Sequence, residues 1–238
     1  MRVFGWPDDP EESTRRGVRI FDRVAPRYDV MRRLMSGGRE DEWKRRSLLG
    51  ELATTRPRRC LDVASGTGDV ATLLLSHFPD ASVVALDGNR AMIEHARPKL
   101  DGARTSWILA DMNRLPVDGA HFDVVTVAYG LRYVTDLPAF LASCHGALRP
   151  GGLFWSFDLG VPQSGLLHSA WRAYLFVAGT LLGLVLHARP ATYWHLLETL
   201  GKYPGQRRVA ALLREAGFGE VRCDDLLGGV LAIHVARR

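Results

Sequence analysis

A single stretch decides the fold: Leu61-Asp62-Val63-Ala64-Ser65-Gly66-Thr67-Gly68-Asp69, a glycine-rich turn between an apolar run and a helical pattern. Small residues in such a turn let the backbone approach a ligand closely, and the N-terminus of the helix that follows offers unpaired N–H groups. The motif lacks the G-x-G-x-x-G spacing that seats a dinucleotide pyrophosphate. Asp62 stands at the end of the strand, where a carboxylate would repel an anionic ligand and accept a cationic amino-acid group. The stretch therefore predicts a ligand-binding turn, with an ordinary tight turn as the alternative.

Strand and helix patterns alternate downstream of this turn. Apolar, β-branched runs indicate strands, and runs with apolar residues at helical spacing indicate helices. The predicted strands span residues 59–63, 82–86, 106–110, 122–129, 153–157, 220–226 and 230–236. The predicted helices between them span residues 69–78, 91–100, 137–148 and 206–216. This alternation predicts an α/β, Rossmann-like fold with a seven-stranded, mostly parallel sheet and helices on both faces.

Helical additions accompany the predicted sheet. From Val18 to Leu49 apolar and basic residues recur at helical spacing, with breaks at Pro26 and at residues 36–38, which predicts N-terminal helices. Residues 162–201 are rich in Leu, Trp and Tyr and hold no strand–helix unit, which predicts an apolar helical cap inserted after the fifth strand. Residues 1–17 are predicted to be a flexible segment, and residues 18–238 a single domain.

Acidic residues follow the second and third predicted strands, and Asp62 stands at the end of the first. Asp87 comes roughly 20 residues after the glycine turn, where an acid binds ribose hydroxyls. Asp111 ends the third strand, where it can bind an adenine amino group while Met112 covers the ring. The carboxyl ends of parallel strands meet at one edge of a sheet, so these acids are predicted to bind an adenosine moiety together. A helix cap is the alternative for any one of them.

The composition narrows the class of protein and the cellular compartment to which it belongs. The formal net charge is +5, which indicates either a solvated basic surface or attraction to anionic lipid headgroups. No basic helix is interleaved with aromatic residues, which argues against nucleic acid as a partner. Three separated cysteines and scattered histidines predict neither a disulfide framework nor a metal site. The N-terminus lacks a secretory signal and the longest apolar stretch, Tyr174–Leu186, is too short to span a bilayer, so the chain is expected to be cytoplasmic.

Three blocks carry a family resemblance. The first is Phe21-Asp22-x-Val-Ala-x-Arg-Tyr-Asp-x-Met31, followed by Leu34-Met35-Ser36 and Trp43-Lys44-Arg45. The second is the glycine turn, and the third comprises Leu115-Pro116, Phe122-Asp123 and Gly130-Leu131-Arg132-x-Val134-Thr135-Asp136. In these blocks, and over nearly its whole length, the sequence resembles the ubiquinone/menaquinone biosynthesis C-methyltransferase family. The first and third blocks are the most specific to that family.

The resemblance implies a class I methyltransferase that transfers a methyl group from S-adenosyl-L-methionine to a ring carbon of a prenylated hydroquinone. The acceptor would be a small-molecule or lipid-like quinol, either demethylmenaquinol or a ubiquinol precursor. Together with the turn and the strand ends, the resemblance assigns cofactor contacts to Asp62, Ala64, Ser65, Gly66, Thr67, Gly68, Asp87, Gly88, Asp111, Met112 and Ala128.

The resemblance also places Tyr28 and Arg132 near the acceptor ring as catalytic candidates. A hydroquinone carbon becomes nucleophilic when the neighbouring hydroxyl loses its proton, so the site needs a base and a group that stabilises a phenolate. Arg132 suits the second role, with a salt bridge to Asp136 or another acid as the alternative. For Tyr28 the alternative is a lid that packs over the cofactor.

Three residues depart from the family pattern. Tyr133 stands where Asn is usual, Gly37 where Phe is usual, and Asn113 where an acid is common. They are expected to cluster on the acceptor side, which leaves a natural-product aromatic or a phospholipid amine as alternative acceptors. A non-catalytic binding protein of the same fold is an alternative of another class, and the intact cofactor acids argue against it. An NAD(P)-dependent oxidoreductase is disfavoured by the glycine spacing.

The segment Trp171–Leu186 is more apolar than an exposed helix requires. It is expected to line a groove for an isoprenoid tail. Packing against the domain and a homodimer interface are the alternatives. Combined with the basic surface, the segment favours peripheral contact with the inner face of the membrane.

Overall fold

Three helices precede the sheet in the computed structural model, which describes residues 6–53, 55–100, 102, 104–117 and 119–238. They are α1 (Pro10–Val24), α2 (Tyr28–Ser36) and α3 (Glu40–Leu52). Asp9 caps α1, because its side chain accepts a hydrogen bond from the Glu12 N–H at 2.8 Å. Residues 10–17 therefore belong to a helix, and the boundary predicted after residue 17 is wrong. The flexibility predicted for residues 1–5 lies outside the described residues.

Strands and helices then alternate along the chain. The first half runs β1 (Arg59–Val63), α4 (Asp69–His77), β2 (Ser82–Asp87), α5 (Arg90–Leu100), β3 (Thr105–Leu109) and β4 (Phe122–Ala128). The second half runs α6 (Leu137–Ala147), β5 (Leu148–Leu159), α7 (Gly165–His187), α8 (His195–Lys202), α9 (Gln206–Glu215), β6 (Glu220–Leu226) and β7 (Leu231–Arg237). The predicted order is confirmed; β5 begins earlier than predicted because it continues through the Pro150–Gly152 turn signal.

The seven strands form one sheet in the order β3-β2-β1-β4-β5-β7-β6. β1 to β5 pair in parallel, and β7 runs antiparallel to both of its neighbours. Val63 is in register with Leu86 on β2 and with Val127 on β4, so three strands end together. The strand order reverses direction between β1 and β4, and in open α/β sheets ligands bind at that point, beyond the carboxyl ends of the strands.

Burial of the central strands shows that the sheet is covered on both faces. Every residue of β4 from Phe122 to Val127 is buried, as is the β5 segment from Leu153 to Leu159. Consecutive burial requires cover on both sides, since neighbouring side chains of a strand point to opposite faces. The fold class predicted from the sequence is thus confirmed.

Helix α7, the main part of the predicted cap, extends beyond the apolar stretch noted in the sequence. It has 23 residues and is long and apolar enough to cross a membrane by length and composition alone, which corrects the prediction that no stretch reaches that length. One side of the helix packs against the domain through Trp171, Leu175, Gly179 and Gly183. A Cβ atom on Gly183 would lie 2.5 Å from the Arg189 carbonyl oxygen, so the backbones of α7 and the following turn are in close contact.

Candidate functional site

The glycine turn is held against the end of the neighbouring strand. The Ser65 N–H donates to the Leu86 carbonyl at 3.0 Å, and the Gly66 N–H donates to Asp87 Oδ2 at 2.7 Å. Ala64 adopts a φ of 54°, which is uncommon for a residue with a side chain. Gly68 has a φ of 83° and serves packing, because a Cβ atom there would lie 2.5 Å from Leu100 Cδ1.

A first cavity, which we call the strand-end cavity, lies beyond the ends of β1, β2 and β4. Its volume is about 160 Å³. Seven of the predicted cofactor residues line it: Ala64, Gly66, Asp87, Gly88, Asp111, Met112 and Ala128. Helix α1 covers it with Ser13, Thr14, Gly17 and Val18. The structure thus brings the predicted adenosine residues together and adds a cover that the sequence did not predict.

The two acids of the strand-end cavity are fixed by backbone amides. Asp87 accepts from the Gly66 N–H at 2.7 Å and from the Asn89 N–H at 2.8 Å, while burial raises the pKa of Asp87 to about 6. Asp111 accepts from the Asn113 N–H at 2.9 Å. Each oxygen of a carboxylate has two lone pairs, so both acids can still accept from a ligand.

A second, smaller space, the turn cavity, lies on the other side of the glycine turn. It is lined by Tyr28, Arg32, Lys44, Asp62, Ala64, Ser65, Gly66, Thr67, Asp69, Val70, Ala128 and Tyr129. Asp62 Oδ1 accepts from Thr126 Oγ1 at 2.7 Å, whereas Asp62 Oδ2 and Ser65 Oγ are buried without a well-formed hydrogen bond. Burial raises the pKa of Asp62 to about 6. An unsatisfied buried carboxylate oxygen is costly, and a bound cation would relieve that cost.

Thr67 faces the helices as well as the turn cavity. Its hydroxyl donates to Asp29 Oδ1 at 2.6 Å, and Asp29 Oδ2 accepts from Lys99 Nζ at 2.5 Å. These bonds hold the start of α2 against the glycine turn. Of the predicted cofactor residues, Gly68 lines neither the strand-end cavity nor the turn cavity and packs against Leu100 instead.

A buried network of charges forms the helical wall of the turn cavity. Arg32 pairs with Glu40 at 2.9 Å and with Asp69 at 2.8 Å, and Lys44 Nζ lies 2.5 Å from Glu40. Lys44 also lies 5.3 Å from the ring centroid of Tyr129. The wall therefore places two cations, each paired with an acid, beside Asp62.

Three carboxylates of this region come close enough to suggest a metal site. Oxygens of Glu40, Asp41 and Asp69 lie within 4.8 Å of one another. Arg32 makes an ion pair with each of the three, so its guanidinium already supplies the positive charge. The absence of a metal stays a prediction from the sequence.

A third space, the apolar cavity, is the largest of the three at about 300 Å³. Its wall comes from the N-terminal helices, the cap, the end of β5 and the loops after β4 and β6. Its lining residues are Phe21, Val24, Tyr28, Met31, Arg32, Met35, Ser36, Glu40, Trp43, Tyr129, Arg132, Tyr133, Leu159, Trp171, Tyr174, Tyr193, His195, Leu196, Leu227, Val230 and Leu231.

Most of this lining is apolar or aromatic. Its charged and titratable groups other than tyrosine are few: Arg32, Glu40, Arg132 and His195. An apolar cavity with few polar groups suits a ring that carries a hydrocarbon substituent.

Arg132 is paired with a buried acid at the edge of the apolar cavity. Its Nε donates to Asp158 Oδ1 at 2.5 Å, and its Nη1 donates to Thr199 Oγ1 at 2.8 Å. The partner is not Asp136, whose side chain instead caps α6 by accepting from the Ala139 N–H at 3.0 Å. The salt-bridge alternative for Arg132 is therefore realised with Asp158. The guanidinium is held in one position, 5.3 Å from the ring centroid of Tyr133.

His195 is a polar group of the apolar cavity to which no role is assigned from the sequence. Its Nδ1 lies 2.9 Å from the Thr192 carbonyl oxygen, which can only accept, so Nδ1 carries the proton. Burial, together with Arg132 and Arg16, lowers the pKa of His195 to about 4. The imidazole is therefore neutral at pH 7, and its Nε2 can act as a hydrogen-bond acceptor.

Tyr28 and Tyr129 are the residues at which all three cavities meet. Burial raises the pKa of both phenols, and the Glu40 carboxylate raises it further. Tyr129 adopts a φ of 58°, a strained conformation for an aromatic residue directly after β4. The role predicted for Tyr28 near the acceptor stays a prediction, and this position is compatible with it.

The three departures from the family pattern do not cluster as expected. Tyr133 lines both the apolar and the strand-end cavity. Asn113 lies on the strand-end side, where it accepts from the Thr135 N–H at 2.8 Å. Gly37 has a φ of 59° and ends α2, and a Cβ atom there would meet no atom of the described residues within 4 Å. Of the three, Tyr133 alone lines the apolar cavity.

The segment predicted to line a tail groove contributes two residues to the apolar cavity, and its role toward a tail stays a prediction. Trp171 and Tyr174 line the apolar cavity, whereas Val177, Leu181 and Leu184 are exposed. The segment therefore contributes one end of the cavity wall and does not enclose a tunnel along its whole length.

Comparisons with known proteins agree with this geometry. A family model described as the ubiE/COQ5 methyltransferase family matches residues 11–238. The ubiquinone/menaquinone biosynthesis C-methyltransferase UbiE of Dinoroseobacter shibae is 36% identical over 220 residues, covering 90% of this chain and 87% of its own. The protein of the same name from Pseudomonas paraeruginosa is 36% identical over 239 residues, covering 97% and 92%.

Solved structures show the same fold. A SAM-dependent methyltransferase from Aquifex aeolicus matches with a TM-score of 0.60 at 15% identity, covering 88% of this chain and 97% of its own. At this identity the likeness establishes the architecture alone. The sheet is thus that of the class I methyltransferases.

Proposed function

Because the chain belongs to the ubiE/COQ5 methyltransferase family, we propose that it uses S-adenosyl-L-methionine to methylate a ring carbon of a prenylated hydroquinone. The acceptor is demethylmenaquinol or a ubiquinol precursor. One observation carries the proposal: the strand-end cavity, the turn cavity and the apolar cavity meet at Tyr28 and Tyr129.

The residues present fit S-adenosylmethionine. Asp87 and Asp111 would bind the adenosine in the strand-end cavity, with Met112 against the base. The unsatisfied Asp62 Oδ2 would accept from the ammonium group. When bound, the cofactor supplies an electrophilic methyl group on a sulfonium. No base is needed to activate that group, so the remaining task is to align and activate the acceptor.

The acceptor ring would lie in the apolar cavity. His195 Nε2 would accept a hydrogen bond from a ring hydroxyl, which raises the electron density on the neighbouring ring carbon, and it would then take the proton that this carbon loses when it is methylated. Arg132 would stabilise the negative charge that develops on that oxygen, since its Asp158 bond fixes the guanidinium in position. Tyr28 and Tyr129 stay protonated because burial raises the pKa of both, so they orient the reactants as donors.

The N-terminal helices cover part of the junction. Helix α1 covers the strand-end cavity with Thr14 and Val18, and its Phe21 ring packs 5.4 Å from the Tyr133 ring. This cover would limit the access of water to the reacting atoms and strengthen the electrostatic contacts around them.

A natural-product aromatic is the second candidate acceptor. It is favoured by Tyr133, which stands where Asn is usual in the family and lines the apolar cavity.

A panel of acceptors tests the proposal. Purified protein with S-adenosylmethionine is given demethylmenaquinols and ubiquinol precursors with tails of increasing length, a tailless aromatic and a phospholipid amine. We expect turnover of the prenylated quinols, with kcat/KM rising with tail length to a plateau as methylenes are buried at about 0.8 kcal/mol each. Equal turnover of tailless and prenylated rings, or turnover of the amine alone, would reject the proposed acceptor class.

A further inference from the structure

Tyr133 lines both the strand-end cavity and the apolar cavity, so its side chain lies at the boundary between them. It belongs to the turn that follows β4 and comes directly after Arg132. The backbone of this turn is fixed, because the Tyr133 N–H donates to the Gly130 carbonyl at 3.0 Å. Tyr133 therefore forms part of the wall against which an acceptor ring in the apolar cavity would lie.

Three aromatic rings hold the side chain of Tyr133. Its ring centroid lies 5.4 Å from that of Phe21 and 5.5 Å from that of Trp6, and both pairs are edge to face. The ring centroid of His195 lies 6.4 Å away. Trp6 is itself buried and fixed, since its indole N–H donates to Ser13 Oγ at 2.6 Å. The neighbours of Tyr133 thus hold its ring in one orientation.

Four neighbouring rings form a continuous surface on the apolar cavity, which we call the aromatic wall. They belong to Phe21, Tyr28, Tyr133 and His195, and all four residues line the cavity. The ring of Phe21 connects them, with its centroid 6.4 Å from that of Tyr28 and 6.2 Å from that of His195. Aromatic pairs in edge-to-face or offset arrangements are stabilised beyond the area that they bury, so such a wall favours a flat aromatic ligand.

The polar end of Tyr133 is directed toward α8. Burial raises the pKa of the Tyr133 phenol, and the Arg132 guanidinium and the Thr199 hydroxyl beside its oxygen oppose that rise. Thr199 is buried on α8 and does not line the cavity. Tyr133 therefore presents ring carbons to the apolar cavity, whereas its oxygen interacts with groups of the wall.

The two proposed acceptors differ in the chemistry of their rings. Demethylmenaquinol is a fused bicyclic hydroquinone, whereas the methyl acceptor of the ubiquinol type is a single ring that carries a methoxy group. A methoxy oxygen placed against the ring carbons of Tyr133 would lose its hydrogen bonds to water without gaining a donor. A fused second ring in the same place would bury apolar area against the aromatic wall.

We propose that Tyr133 makes the apolar cavity selective for fused bicyclic hydroquinones over methoxylated single rings. The selectivity rests on the proposed methylation of a quinol and narrows its acceptor class. Tyr133 determines specificity through the shape and polarity of the aromatic wall, and it takes no part in the transfer of a proton.

Binding measured without turnover tests the proposal. The full chain, with S-adenosylhomocysteine, is titrated under anaerobic conditions with two reduced quinols that carry the same isoprenoid tail, a naphthoquinol and a methoxybenzoquinol. The Kd of each is read from the tryptophan fluorescence. We expect the wild-type chain to bind the naphthoquinol roughly tenfold more tightly, because a cavity of fixed shape discriminates between ring substituents by about this factor. Equal affinities, or tighter binding of the benzoquinol, would overturn the proposal.

Substitutions at Tyr133 assign the selectivity to this residue. Tyr133→Asn and Tyr133→Gln each replace the ring by an amide that can donate to a methoxy oxygen, so the two Kd values should come within about twofold of each other. Tyr133→Phe keeps the ring and should preserve the wild-type ratio. Urea denaturation identifies which variants fold, and either amide variant is sufficient for the comparison.

Tyr174→Asn is the matched control, because Tyr174 lines the same cavity from α7 and is not part of the aromatic wall. It should change both Kd values together and leave their ratio as in the wild-type chain. An unchanged ratio in a folded amide variant, or loss of the ratio in Tyr174→Asn as well, would overturn the assignment to Tyr133. Methyl transfer is measured separately, so tight binding of the naphthoquinol without transfer would reject the proposed reaction alone.

Discussion

The cofactor side and the acceptor side of the site are built in different ways. The strand-end and turn cavities are formed by the ends of β1, β2 and β4, where backbone amides hold the carboxylate of Asp87. The apolar cavity lies outside the sheet, and its polar groups are largely side chains held by other side chains, such as Arg132 by Asp158. The first region is rigid because the sheet fixes it, whereas the second depends on the packing of helices from both ends of the chain.

This difference predicts where the fold tolerates amino-acid substitutions. On the cofactor side, backbone hydrogen bonds pair β1 with its neighbours, so a substitution such as Asp62→Asn removes a ligand contact and leaves the strands paired. A substitution on the acceptor side removes a contact and also leaves its buried partner unsatisfied. We therefore expect stability and catalysis to be coupled on the acceptor side and separable on the cofactor side.

The largest effect is expected at the buried ion pair. Arg132→Ala leaves the Asp158 carboxylate buried without its cation, which should lower the free energy of unfolding by about 3–5 kcal/mol. Urea denaturation followed by circular dichroism measures it. The double variant Arg132→Met with Asp158→Asn removes both charges and should regain most of the stability while methyl transfer stays low. A single variant as stable as the wild type would show that the pair has no structural role.

On the cofactor side the expected effect is on affinity. Asp62→Asn removes the charge that would bind an ammonium group, a charge-assisted bond worth roughly 1.5–3 kcal/mol, so the Kd for S-adenosylmethionine should rise at least tenfold. Isothermal calorimetry gives the Kd. Asp136→Asn is the control, since Asn also caps a helix and Asp136 caps α6. Unchanged affinity in Asp62→Asn would remove this carboxylate from the site.

A substitution at His195 should affect catalysis on the acceptor side without affecting cofactor binding. His195→Phe removes the acceptor nitrogen but keeps an aromatic ring in the apolar cavity, so kcat should fall roughly tenfold while the Kd for S-adenosylmethionine stays unchanged. His195→Gln restores a hydrogen-bond acceptor and should recover part of the loss. If both variants lose activity equally and denaturation shows that both are less stable than the wild type, His195 is a packing residue.

The smallest expected effect is a dependence of stability on pH. Burial raises the pKa of Asp62 from 3.8 to about 6, so without ligand the folded state disfavours its charged form above that pH. The cost is present above pH 6 and is relieved as the pH falls from about 6 toward 4. Asp62→Asn should therefore be more stable than the wild type at about pH 7.5 by roughly 1–2 kcal/mol, and the difference should shrink by about pH 4.5. A constant difference in urea denaturation at the two pH values would contradict the assignment.

The difference between the cofactor side and the acceptor side also explains which residues of the site can be predicted from the sequence. Asp62, Asp87 and Asp111 lie at or just beyond the ends of successive strands, and parallel strands bring their ends to one edge, so the local pattern is sufficient. His195 and Glu40 are brought together from opposite ends of the chain by helix packing, for which a single sequence offers no pattern. The Asp158 partner of Arg132 lies inside β5, and its burial can be predicted while its pairing cannot.

The start of the domain is missed from the sequence for a local reason. Asp9-Pro10-Glu11-Glu12 is a helix N-terminus with a cap, a proline in the first turn and acids beside it, yet its polarity also fits a flexible segment. The apolar character of α7 is visible as composition, but which of its sides meets the domain depends on Gly179 and Gly183 and on the turn that packs against them.

The position of the transferred methyl group tests the central claim most directly. The purified chain is incubated with S-adenosylmethionine carrying a deuterated methyl group and with reduced demethylmenaquinol, and the product is characterised by mass spectrometry and NMR. We predict that the label is on a ring carbon and that both hydroxyls remain free. A label on an oxygen, or transfer to an amine with none to the quinol, would contradict the account.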